Sequence, residues 1–181
     1  MTSLYDIIIP QLLTILTVTK NLLNKGAEHA KEKNIPISEL LNARLYDDMR
    51  PFTFQVWMIC STIRKAIERL TGTAPAGTLG GVDQEYTVED LLAMVDDATK
   101  LLQDIKPETL EGKEDVRVPC ALGPANFEAR LVDYAQGYPI PTAYFHVSMV
   151  YGLLRNKGVP VGKSDYIRPF LKDFELKDLS S

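Results

Sequence analysis

A chain of 181 residues, 45% of them hydrophobic, has the size of one domain with a substantial core. Its 24 acidic and 20 basic residues leave a net charge of −4, and its densest basic run, Lys31-Glu32-Lys33, is broken by an acid; this argues against a nucleic-acid partner. Cys60 and Cys120 match no metal-binding or redox spacing, and two unpaired thiols suit a reducing, cytoplasmic compartment.

The apolar run from Ile7 to Val18 comes first. It is shorter than the roughly 20 residues of a membrane span, and Asp6 stands where a signal peptide carries basic residues. The run reads as a buried helix face, with no membrane partner. The first helix is expected over Leu4–Lys33, with Ser3 as its cap. Pro10 lies more than a turn inside and predicts a bend or a late start. Pro36 then blocks continuation, and Ser38 caps a short helix in the stretch ISELLNARL.

The second long helix begins at Arg50-Pro51, where proline is tolerated in the first turn. Phe52, Val56, Ile59, Ile63, Ala66 and Leu70 form an apolar seam with spacings of 4, 3, 4, 3 and 4, and Gly72 ends the helix. Residues 71–81 read as a flexible loop. Thr87 opens the third helix, with Asp90 completing a capping box. Val88, Leu91, Val95, Ala98, Leu102 and Ile105 repeat the seam until Pro107.

Residues 115–131 alternate in part and are interrupted by Gly123-Pro124, the pattern of a short hairpin or an ordered loop. Pro119 argues against a long strand. The fourth helix is expected over 131–157, broken between Gly137 and Pro141. Ile140, Ala143, Val147, Val150 and Leu154 form its seam. The tail, 159–181, reads as irregular, with Phe170 and Phe174 strapping it to the rest. Three matched seams and one apolar helix give an all-α, single-domain four-helix bundle spanning 1–181.

His146 is one of only two histidines. It follows the seam residue Ala143 by three and precedes Val150 by four, so it lies beside the core stripe. An imidazole there needs hydrogen-bond partners. Asp48 and Gln55, near the start of the second helix, and Tyr151 are the candidates. One reading is an interior histidine that fixes the register of two helices; the other is a pocket residue. Asp47 and Asp48 have their own plain reading, as acids favouring a helix N-terminus. A metal is not expected, because Thr142 and Val150 flank His146 at helical spacing and His29 lies at the far end of the first helix.

The stretches SLYDIIIPQLL, LLNARLYDDMRPFTFQV, YFHVSMVYGLLRNKGVP and GKSDY, in that order, resemble an uncharacterised, domain-of-unknown-function branch of the DinB-like four-helix-bundle superfamily. The resemblance implies an up-down-down-up bundle with a short extra helix, and a homodimer. Relatives in that superfamily include metal-dependent thiol transferases and bacterial stress proteins, with one histidine on the second helix and an H-x-x-x-H pair on the fourth. In this chain His146 can occupy one of those places, Val150 replaces its partner, and Asp48 or Gln55 replaces the other histidine. That departure removes the main reason to transfer the metal chemistry.

Met49, Phe52, Phe54 and Trp57 look like an aromatic box, or alternatively like core or a dimer face. The segment GTLGG at 77–81 lacks the phosphate-loop pattern, and no nucleophile triad or dinucleotide fingerprint is present, so no cofactor is expected. The leading expectation is a pocket for a small organic molecule. In it His146 acts as general acid or base oriented by Asp48, while Gln55, Tyr144, Tyr151 and Trp57 contact the ligand. The alternatives are a non-catalytic dimeric interaction or stress-related bundle, and a metal-dependent enzyme.

Overall fold

The computed structural model describes residues 3–122 and 124–174. Helix α1 spans Leu4–Lys33, α2 Ile37–Leu41, α3 Phe52–Thr71, α4 Val88–Gln103 and α5 Pro107–Leu110. Strands β1 (Arg117–Leu122) and β2 (Ala125–Arg130) follow, then α6 (Leu131–Gly137), α7 (Pro139–Asn156), α8 (Lys163–Ile167) and a 3-10 turn at Arg168–Leu171.

The long helices begin where side chains replace the missing backbone partners. Ser3 Oγ accepts from the Asp6 N–H while Asp6 accepts from the Ser3 N–H, both at 3.1 Å. Thr87 and Asp90 repeat this at the head of α4. Helix α1 ends at Asn34, in the left-handed region at φ 54°. Of the bend or late start expected at Pro10, the late start does not occur: α1 runs from Leu4 through the proline. The proline is exposed on the solvent face of the helix.

Helices α1, α3, α4 and α7 make the bundle. Each of α1 and α3 packs on both α4 and α7, so α1 and α3 face each other across a diagonal. A void of about 10 Å³ is lined by Leu23, Gly26, Phe52, Val88 and Leu154. The later part of α1, the starts of α3 and α4 and the end of α7 therefore meet at one end, which makes the order up-down-down-up. The seam residues Val56, Ile59, Ile63, Leu91, Leu102, Val147 and Val150 are all fully buried. At about 25 cal/mol per Å² of apolar surface removed from water, this core is the main source of stability. By length and composition α1 could cross a membrane, but its apolar stripe, including Ile8, Leu12, Ile15 and Leu22, is buried in the bundle.

Two parallel neighbours, α3 and α4, need a connection that runs the length of the bundle. The loop expected to be flexible performs this crossover and is pinned along its course. Arg64 Nη2 donates to the carbonyls of Ala76 (2.5 Å) and Gly77 (2.7 Å), and its Nη1 pairs with Asp97 at 2.6 Å. Trp57 Nε1 donates to the Gly80 carbonyl at 3.3 Å, and Arg50 pairs with Asp83 at 2.8 Å.

Residues 115–131 hold a true antiparallel hairpin, with Cys120 opposite Phe127 and Pro119 opposite Glu128. Two strands leave a ladder edge unpaired, and Pro119 is tolerated in such a setting. The tail is more regular than expected, because α8 and the 3-10 turn fold back on the bundle. Phe170 stacks on Tyr144 at 5.7 Å, whereas Phe174 is 71% exposed and straps nothing. Residues 175–181 lie outside the described residues.

Candidate functional site

Where the head of α3 faces the middle of α7, Gln55 and His146 meet. Gln55 is 3% exposed, four residues into a helix that Pro51 begins. Its Nε2 donates to the carbonyls of Arg50 (3.0 Å) and Pro51 (3.4 Å), which are acceptors only. The amide oxygen must therefore point the other way, and it lies 2.8 Å from His146 Nδ1. Hence Nδ1 carries the proton and donates, and Nε2 keeps its lone pair. Burial lowers the imidazole pKa from 6.5 to about 4, so the ring is neutral at pH 7.

Aromatic rings surround this pair. Phe54 and Phe145 meet the imidazole edge-on at 6.0 and 5.1 Å. Trp57 stacks on Phe54 at 6.2 Å, and the Arg50 guanidinium lies 5.2 Å from the Phe54 ring centre. Phe145 is 58% exposed, so the cluster is a rim that reaches solvent. Of the expected aromatic box, Phe54 and Trp57 belong to this rim, while Phe52 turns into the core at 2% exposure.

The other expected site residues lie elsewhere. Asp48 is exposed in the turn before α3, and among the described residues no hydrogen bond joins it to His146. The orienting partner is Gln55 instead, because it sits inside the helix that faces α7. Tyr144 and Tyr151 are two and five residues from His146 on α7. At about 100° per residue those steps put them on the opposite face. There Tyr144 stacks on Phe170 and Tyr151 meets Tyr166 edge-on at 6.2 Å. Phe145 and Arg50, which complete the rim, were not expected as site residues; adjacency to His146 and to Pro51 was the only signal available.

The metal implied by the superfamily resemblance does not fit these residues. Among the described residues no group of three or more His, Cys, Asp or Glu side chains is placed to hold an ion. Val150, one turn beyond His146, is buried and apolar, and the Gln55 oxygen is occupied by the Nδ1 proton. A hollow of about 770 Å³ lies on another face, between α1, the end of α4 and α8. Its lining includes Asn21, Asn24, Gln103 and Arg168 but not His146.

Comparison with known proteins agrees with this architecture. A solved structure described as a DinB family member protein from Shewanella denitrificans is 26% identical, with 91% of each chain covered and a TM-score of 0.81. No curated protein matches the chain. A family model described as "Domain of unknown function (DUF1993)" matches residues 4–167, almost the whole bundle, and the chain belongs to that DinB-like family.

Proposed function

We propose that this bundle binds a small molecule on the rim between α3 and α7, with neutral His146 as a hydrogen-bond acceptor. One observation carries the reading: Gln55 fixes the Nδ1–H tautomer, which leaves the Nε2 lone pair among partly exposed rings. The ligand that suits such a rim is a planar aromatic molecule bearing a hydroxyl or N–H donor. Phe54, Trp57 and Phe145 offer stacking faces, and Arg50 attracts partial negative charge. A pKa near 4 is poorly matched to proton transfer at neutrality. Binding, rather than acid–base turnover, is therefore the activity proposed.

Trp57 is the sole tryptophan and a built-in reporter. Titration with phenol and with indole should change its fluorescence saturably. His146→Leu should weaken phenol binding by about tenfold, the worth of one hydrogen bond of about 1.4 kcal/mol. Equal affinity in the folded variant would refute the reading.

A second reading is favoured by the exposure of Phe145: a second copy laid over the same rim, forming a homodimer. Sedimentation velocity separates the two. A dimer that Phe145→Ser dissociates supports this reading, and a monomer at high concentration rejects it.

A further inference from the structure

A second polar cluster lies under the hairpin, away from His146. Tyr134 on α6 is 2% exposed, and its hydroxyl has no hydrogen-bond partner among the described residues. An orphan buried hydroxyl is rare and needs an explanation. Beside it runs Arg69 of α3. Its Nε donates to the Pro119 carbonyl at 2.8 Å and its Nη1 to the Lys65 carbonyl at 3.2 Å. The guanidinium carbon lies 5.4 Å from the Tyr134 ring centre. The residue after Pro119 is Cys120. It shares the inner face of β1 with buried Val118, packs against the core and is partly exposed.

We propose that Cys120 is a peroxide-reactive thiol whose sulfenic acid is held by the Tyr134 hydroxyl and the Arg69 guanidinium. Reactive thiols sit in electropositive, partly open surroundings; Cys120 is partly exposed, and Arg69 holds the carbonyl of the residue before it. The thiol first loses its proton to solvent. The thiolate sulfur then attacks one oxygen of hydrogen peroxide, and the S–O bond forms as the O–O bond breaks. Sulfur gives up two electrons, and the departing hydroxide takes a proton from solvent to leave as water. The new oxygen lengthens the side chain by one atom and offers the orphan phenol an acceptor. Cys60 provides an internal contrast, because it is fully buried and burial pushes its thiol up to about 12.

The test treats the full chain with hydrogen peroxide, traps sulfenic acid with a cyclic 1,3-diketone and assigns the label by mass spectrometry. Label should appear on Cys120 and not on Cys60, at a rate about threefold or more above free glutathione. Arg69→Met should slow it by about threefold or more, with partial recovery in Arg69→Lys. Tyr134→Phe, which keeps the core filled, should lower the trapped yield at an unchanged initial rate. A wild-type rate equal to that of glutathione overturns the proposal. So does a yield in Tyr134→Phe equal to wild type, which would mean that the orphan hydroxyl serves only a buried water.

Discussion

Acid should loosen the contact between α3 and α7 through a single proton. In the folded chain His146 takes up a proton only near pH 4, whereas an unfolded histidine does so at 6.5. Between those values the unfolded state binds more protons, so stability is complete above about pH 6.5 and is lost as the pH falls towards 4. At about 1.4 kcal/mol per pH unit the difference corresponds to at most about 3.5 kcal/mol. The ring is half-buried and its open edge is screened by solvent, which reduces the expected loss to roughly 1–2 kcal/mol. The assay is urea unfolding followed by Trp57 fluorescence from pH 7 to pH 4, with His146→Asn in parallel. Asparagine retains an N–H for the Gln55 oxygen and does not titrate. The gap between the two proteins should therefore shift by that amount in favour of the variant as acid is added. A gap that stays constant with pH would refute the burial argument.

Gln55→Leu should cost about 1–3 kcal/mol in chemical denaturation, because it strands the Arg50 carbonyl and the His146 Nδ1–H together. Arg64→Ala should free the crossover loop, read out as faster proteolytic nicking within residues 72–87 and a loss of about 2 kcal/mol. Thr87→Ala removes the cap of α4 and should lower stability by about 1 kcal/mol with the native circular-dichroism spectrum retained. Dialysis of the purified protein against a chelator should leave the melting temperature within about 1 °C, since among the described residues no group of donors is placed to hold an ion.

Much of the bundle could be read from spacing alone. The seams of α3, α4 and α7 repeat at helical period, and Ser3, Thr87, Pro51 and Gly72 mark where helices start and stop. The place of His146 beside the core stripe followed from the same arithmetic, and it does meet Gln55, one of its candidate partners. Tyr144 and Tyr151, expected beside His146, lie on the other face of α7, a direction that their offsets from His146 already fix. Asp48 is a different case. It lies in a turn without periodicity, and nothing local tells where a turn will point. The pinned crossover was hidden for a related reason. Arg64 reaches carbonyls that any sequence would supply, and backbone acceptors leave no trace in residue identity. The short helix α8 escaped notice because five residues carry too little pattern to stand out.

The side-by-side packing of α1 and α7 has a cost during synthesis. The 105 residues from 34 to 138 separate these helices, so the apolar first helix leaves the ribosome long before its neighbour exists. Until α7 is translated, Ile8, Leu12 and Ile15 have no complete shelter. Nascent chains halted before residue 139 should therefore be sticky, and chaperone capture should end abruptly once the last bundle helix emerges.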